Sequence, residues 1–169
     1  MTEPRLRLAL DQNFPMPLID LNREYLPTDI DLVHIAKIDH RLSDLGDRQL
    51  FIALKQLGYD GLITNNYRML AIPEEVAAIV KTKAVVVAVQ ALGHDPIRAV
   101  GALLLELPGL PERLRRGKGN VFRLNYNRRR PEDAWTYLAE AARRLGKDPD
   151  ELWEDVKVTN DEMNTTVLS

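Results

Sequence analysis

The chain has 169 residues, of which 45% are hydrophobic and 28% charged, with a formal net charge of −2 and no cysteine. This length and composition predict one globular domain with a buried core, and the lack of cysteine excludes disulfides and thiolate metal sites. The first residues lack the apolar core of a signal peptide, and no apolar run approaches the roughly 20 residues that cross a bilayer. The sequence therefore predicts a cytoplasmic protein with no membrane partner.

Strand-like and helix-like segments alternate along most of the chain. Short runs rich in Val, Ile, Leu and Ala predict strands, and apolar positions at helical spacing predict the helices between them. In chain order the predicted elements are strand 5–10, helix 15–25, strand 30–35, helix 48–57, strand 61–64, helix 73–81, strand 84–89, helix 97–107, edge strand 120–126, helix 131–145 and helix 150–156. The polar tail 159–169 is predicted to be frayed, or ordered only by a partner.

This alternation predicts an α/β fold, a three-layer sandwich with a mainly parallel central sheet and helices on both faces. The run 84–89 consists almost entirely of Val and Ala, which is typical of a strand covered on both faces. No repeat or linker divides the chain. We therefore predict a single domain over residues 1–169, with C-terminal helices in an extension from about 107 to 169.

Polar side chains occur at three predicted element ends. Asp11 follows the first strand, Asp47 precedes an amphipathic helix, and Asn65 and Asn66 follow a short buried strand. Open α/β sheets bind ligands outside the carboxyl ends of their strands, and oxygen ligands from separate segments suit Mg²⁺. If the three ends meet, they form an acidic metal site.

Each of these residues also has a purely structural explanation. Asp11 can stabilise the turn before Pro15, and Asp47 is a good helix N-cap. Asn65 and Asn66 suit a left-handed turn. On the residues alone, both interpretations stay open.

The segment 113–130 is strongly basic, with eight Lys or Arg residues and no acid. Such asymmetry indicates a polyanionic partner, although solvated loop charges balanced by acids elsewhere explain it equally well. Arg68, just after the Asn turn, is placed to contact a bound strand. The predicted nucleic-acid-binding residues are Arg68, Arg113, Arg115, Arg116, Lys118, Arg128, Arg129 and Arg130.

Two motifs resemble those of PIN-like domains, the small nuclease fold found in VapC-type toxins. Residues 8–15, LALDQNFP, are similar to the family's opening LLDENLP. Residues 47–66 are similar to a later family motif that begins with an Asp and ends in TnD. The resemblance covers about residues 6–105 and does not include the basic segment.

The resemblance implies a PIN-like endoribonuclease that uses Mg²⁺ or Mn²⁺. RNA is then the substrate, and the expected protein partners are an antitoxin and, in a homodimer, a second copy of the chain. By position Asp11 and Asp47 are the acidic metal ligands, and Asn66 stands where the family has the TnD aspartate. The chain departs from the family at Gln12 and Asn66, which replace acids and weaken the site for a hard cation. Asp44 is the expected additional acid, so the candidate catalytic residues are Asp11, Asp44, Asp47 and Asn66.

Three functions compete on these grounds. The first is metal-dependent RNA cleavage by the acid cluster, with the basic segment along the RNA backbone. The second is a catalytically weakened PIN-like module that binds nucleic acid or a protein partner, as Gln12 and Asn66 suggest. The third is a signalling receiver, which Gln12 and the turn 64–66 fit poorly.

Overall fold

The computed structural model describes residues 5–90, 95–124 and 130–168. Within these residues six strands form one sheet: β1 Leu6–Leu10, β2 Ile30–His34, β3 Gly61–Thr64, β4 Val85–Val89, β5 Asn120–Leu124 and β6 Glu132–Asp133. The strand order is β2-β1-β3-β4-β5-β6, and only the β5–β6 pair is antiparallel. The predicted α/β fold with a mainly parallel sheet is confirmed.

Helices lie on both faces of this sheet. In the described residues they are α1 Met16–Leu21, α2 Ile35–Ile38, α3 Asp47–Gln56, α4 Pro73–Thr82, α5 Pro96–Glu106, α6 Ala134–Leu145, α7 Pro149–Val156 and α8 Asn160–Asn164. Helix α5 contacts α1 and packs on β4 and β5, whereas α3, α4, α6 and α7 form a row in which each contacts the next. None of these helices is long and apolar enough to span a membrane.

The sheet separates two hydrophobic cores, which the β4 residues illustrate. Val86 and Ala88 belong to the core formed with α3, α4 and α6, whereas Val85 and Val87 belong to the core beneath α5. Every residue of β4 is buried, because alternate side chains of a strand point to opposite faces. The prediction that this run is covered on both faces is confirmed.

Strand β5 is not the sheet edge that the sequence suggested. Glu132 and Asp133, expected in the first turn of a helix, pair with Val121 and Asn120 of β5 as the short strand β6. The Asp133 carboxylate then accepts the backbone N–H of Trp135 at 3.0 Å and caps α6. A capping residue has extended rather than helical dihedrals, so this segment can lie beside β5 before the helix begins.

The C-terminal tail, predicted to be frayed, is packed against α3. The Gln56 side-chain amide donates to the carbonyl oxygens of Met163 at 3.3 Å and Thr165 at 2.7 Å. Its Oε1 accepts the Val167 backbone N–H at 3.1 Å. The polar sequence of the tail did not predict this ordered packing, because hydrogen bonds from a side chain to the backbone leave no apolar pattern in the sequence.

Candidate acidic site

The strand order places a ligand-binding position between β1 and β3. Strand β2 lies on one side of β1, while β3, β4 and β5 follow on the other. In doubly wound sheets of this order, ligands bind at the carboxyl ends of the strands where the order reverses, here between β1 and β3. Asp11 directly follows β1, and Thr64 is the last residue of β3. Both therefore lie at this position.

The predicted acidic and amide residues belong to one chain of hydrogen bonds. Thr64 Oγ1 donates to Asp11 Oδ2 at 2.7 Å and accepts the backbone N–H of Asn66 at 2.9 Å. The Asn66 side-chain amide donates to Asp47 Oδ2 at 2.9 Å. The structure thus brings Asp11, Asp47 and Asn66 together from three separate elements.

Asp47 is the first residue of α3 rather than its N-cap. The N-cap is Gly46, whose extended backbone precedes the helix and which offers no side-chain bond. An acid in the first turn of a helix interacts favourably with the helix dipole. The structural role expected for Asp47 as a cap is therefore wrong, and its carboxylate is available to the site.

Glu75 is a third carboxylate of this site, and sequence reasoning missed it. It lies in the first turn of α4. Burial, and then the charges of Asp47 and Glu74, raise the pKa of Glu75 to about 7. Burial and the charge of Asp11 also raise the pKa of Asp47. Asp11 therefore lies close enough to act on Asp47, and Asp47 close enough to act on Glu75; we call these three carboxylates the acidic site.

Two buried side-chain oxygens in the described residues have no hydrogen-bond partner, Asn65 Oδ1 and Glu75 Oε2. Native proteins keep few such atoms, and each costs about 1–3 kcal/mol. Glu75 belongs to the acidic site, and Asn65 lies in the turn that holds Asn66. The unpaired oxygen of Glu75 beside the Asp47 carboxylate, with Asp11 next to Asp47, is a set of oxygen donors that fits a hard cation such as Mg²⁺ or Mn²⁺.

Across the described ranges, no group of three or more His, Cys, Asp or Glu side chains is placed so that it could hold a metal ion by itself. Mg²⁺ keeps several waters and takes only one or two protein carboxylates directly. A closed cage of protein ligands is therefore not needed for such an ion.

Asp44, expected as the additional acid, lies at the end of the 3₁₀ segment His40–Asp44 and is exposed. Its side chain makes no hydrogen bond or ion pair with another described residue. Its catalytic role stays a prediction. Glu75, which interacts directly with Asp47, is better placed for that role.

Four of the predicted nucleic-acid-binding residues lie at the amino ends of the parallel strands, away from the acidic site. They precede β5 and are Arg113, Arg115, Arg116 and Lys118. The side chain of Asn120, the first residue of β5, bonds the backbone of Arg115 and Lys118. Asn120 is in register with Val85, the first residue of β4, so this segment is at the amino ends of the parallel strands. The acidic site is at their carboxyl ends.

The other predicted basic residues are divided. Arg68 is exposed and lies two residues after Asn66, on the same side as the acidic site. Arg130 is exposed before β6. Arg128 and Arg129 lie outside the described residues. Nucleic-acid binding by these residues stays a prediction.

Arg48 fixes the position of Asp47 relative to Glu75. Its guanidinium donates to the Glu162 carboxylate at 2.9 and 3.0 Å and to the carbonyl oxygens of Glu74 and Val156, both at 2.9 Å. These bonds join the first turns of α3 and α4 to the C-terminal tail. Through Arg48, the tail therefore stabilises the packing of α3 against α4 that holds Asp47 near Glu75.

We expect Arg48→Met to lower the free energy of unfolding by about 2–4 kcal/mol, because several carbonyl and carboxylate acceptors lose a charged donor. Urea denaturation with a fluorescence readout measures the change. Arg41→Met is the matched control, since Arg41 is an exposed arginine whose ion pair with Asp39 is local, and such pairs contribute little. Equal losses in both variants would contradict this role of Arg48.

Comparison with known proteins does not assign the chain to a family. No family model matches the chain, and no curated protein or solved structure is significantly similar to it. Function is therefore inferred from the acidic site and from the motif resemblance.

Proposed function

We propose that the protein is a metal-dependent endoribonuclease of the PIN-like kind. The observation that carries the proposal is the acidic site, in which hydrogen bonds through Thr64 and Asn66 link Asp11 to Asp47, and burial with a neighbouring carboxylate raises the pKa of Asp47 and of Glu75. Carboxylates held together against their repulsion, with an unpaired buried oxygen among them, are typical of functional sites. The position at the carboxyl ends of β1 and β3 agrees with where α/β sheets bind ligands.

The residues around the acidic site orient its carboxylates. Asp11 accepts from the Thr64 hydroxyl through Oδ2 and from the Gln12 backbone N–H through Oδ1, both at 2.7 Å. Asn66 holds Asp47 through its amide. Asp11 and Asp47 would hold Mg²⁺ or Mn²⁺, with Glu75 beside them. When bound, such an ion lowers the pKa of a water and neutralises charge on a phosphodiester.

The motif resemblance supports a more specific biological role. It favours a cytoplasmic toxin of a toxin–antitoxin pair, which cleaves cellular RNA and is inhibited by an antitoxin protein. It also makes a homodimer an expected assembly. An adjacent gene encoding a short DNA-binding protein would agree with this role.

The test is cleavage of an end-labelled single-stranded RNA with added Mn²⁺. We expect the wild type to cleave, and Asp11→Asn and Asp47→Asn each to lower the rate by about 100-fold, equivalent to about 3 kcal/mol of transition-state stabilisation. Asp155→Asn is the control for loss of an exposed acid outside the acidic site and is expected to keep activity. Equal residual activity in the wild type, Asp11→Asn and Asp47→Asn would reject the nuclease.

Asn66 favours a second candidate function. Its neutral amide stands where the resemblance expects an acid, so the chain would be a PIN-like module that binds nucleic acid or a protein partner without cleaving. This function predicts RNA binding that weakens with salt and is unaffected by Asp11→Asn. Binding without cleavage by the wild type would favour it over the nuclease.

A further inference from the structure

A pocket lies beside the acidic site, near the carboxyl ends of the parallel strands. It has a volume of about 270 Å³, just below the range of small-molecule sites. Its aromatic and charged lining residues are Tyr67, Arg68, Arg123, Tyr137, Glu140 and Arg144. We call it the arginine pocket. Four of these residues come from elements that the PIN-like motifs do not cover, Arg123 from β5 and Tyr137, Glu140 and Arg144 from α6.

The sheet register places the arginine pocket on the same face as the acidic site. Thr64, Ala88 and Arg123 are in register on β3, β4 and β5, so their side chains point to one face. Thr64 bonds Asp11 from that face. Neighbouring strands are about 4.8 Å apart, which puts the Arg123 backbone roughly 10 Å from that of Thr64. A short run of nucleotides spans this distance.

The inner wall of the arginine pocket is fixed by hydrogen bonds. Arg123 donates to Gln90 Oε1 at 2.7 and 3.2 Å, and the Tyr137 hydroxyl donates to Glu132 at 2.9 Å. Burial and this bond raise the pKa of Tyr137 well above its usual value, so the hydroxyl stays neutral. A wall held in this way needs little reorganisation when a ligand binds.

The outer wall carries groups that can recognise a ligand. Arg68 and Arg144 are exposed, and neither makes a hydrogen bond or ion pair with another described side chain. Tyr67 is 36% exposed at the mouth. Three arginines against one acid, Glu140, make the lining basic. It therefore suits an anion that also carries a flat ring.

We propose that the arginine pocket binds one unpaired nucleotide of a single-stranded RNA whose neighbouring phosphodiester lies at the acidic site. Unstacked bases of single-stranded RNA bind by stacking on aromatic side chains, and Tyr67 supplies this surface. Arg68 and Arg144 pair with the flanking phosphates. The direction of the strand toward the acidic site rests on the proposed nuclease, whereas binding in the pocket does not.

Fluorescence anisotropy of a labelled single-stranded RNA 12-mer in EDTA tests the pocket without cleavage. We expect Arg144→Ala to weaken binding by about fivefold or more at moderate salt and to reduce the salt slope by about 0.7, the value for one lost phosphate contact. Arg143→Ala is the matched control, because Arg143 is the adjacent exposed arginine in the last turn of α6 and does not line the pocket. It is expected to bind like the wild type.

Stacking is tested separately at Tyr67. We expect Tyr67→Ala to weaken binding by about tenfold and Tyr67→Phe to keep it, since the ring remains. A duplex of the same sequence is expected to bind more weakly, because its bases are not free to stack.

Equal effects of Arg143→Ala and Arg144→Ala, or no RNA binding by the wild type, would contradict the proposal that the arginine pocket binds RNA. If binding follows these expectations but no Mn²⁺-dependent cleavage occurs, RNA binding in the arginine pocket is supported and the nuclease proposal is contradicted. If cleavage depends on Asp11 but is insensitive to Arg144 and Tyr67, the nuclease proposal is supported and RNA binding in the arginine pocket is contradicted.

Discussion

Glu75→Gln is expected to stabilise the metal-free protein by about 1–2 kcal/mol at pH 8 and to change its stability little at pH 4.5. The gain at pH 8 is limited because solvent screens a carboxyl that is only partly buried. The pKa of Glu75 is about 7 in the folded protein against an ordinary value of 4.5, and each pKa unit corresponds to about 1.4 kcal/mol. Because the folded state binds this proton more tightly, stability is full below pH 4.5 and is lost as the pH rises to about 7. Glutamine is neutral throughout and avoids that loss.

Urea denaturation in EDTA at several pH values measures this effect. Glu74→Gln is the matched control, because Glu74 is the exposed neighbour in the same helical turn and its neutralisation is expected to have a small effect. The wild-type curve should fall between pH 4.5 and 7, while the Glu75→Gln curve stays flatter. If Glu75→Gln is less stable than the wild type at pH 8, the carboxylate is held by an interaction that the acidic site does not contain.

Asn66→Asp is expected to have opposite effects with and without a metal ion. Without metal, Asp47 loses the amide that donates to it at 2.9 Å and gains a neighbouring negative charge, which together cost about 2–3 kcal/mol. With Mn²⁺ the added carboxylate is a better ligand than the amide. We expect affinity for Mn²⁺ to rise by about tenfold or more.

Thermal melts in EDTA and titrations with Mn²⁺ separate the two effects. Gln12→Glu is the control, since it adds an acid at an exposed position beside Asp11, where the PIN-like motif that the chain resembles has one, without removing a donor from Asp47. It should change stability less than Asn66→Asp. An Asn66→Asp variant that loses stability but gains no affinity would show that Asn66 has a structural role alone.

The sheet was predictable because its physical signals are local. The Val and Ala run of β4 indicates burial on both faces whatever its neighbours are. The meeting of Asp11 with the turn after β3 also followed from a general rule, that polar residues at the carboxyl ends of neighbouring parallel strands lie close together. Asp47 stands at the start of α3 and not at a strand end, so its place beside them was expected only from the motif resemblance.

Glu75 and the ordered tail were not predictable in this way. The first turn of α4 contains two acids, and the helix dipole alone explains them. That Glu75 lies beside Asp47 depends on how α3 packs on α4. Arg48 holds that packing through Glu162, 114 residues later in the chain, and no local pattern reveals such a contact.

Binding of Mn²⁺ to the metal-free protein at pH 8, followed by electron paramagnetic resonance of the free ion, tests the acidic site most directly. We expect one saturable site in the wild type, at least about tenfold weaker binding in Asp47→Asn, and unchanged binding in Asp155→Asn, which removes an exposed acid outside the site. No saturable site in the wild type, or the same affinity in all three proteins, would contradict a cation site at which Asp11 and Asp47 hold the ion.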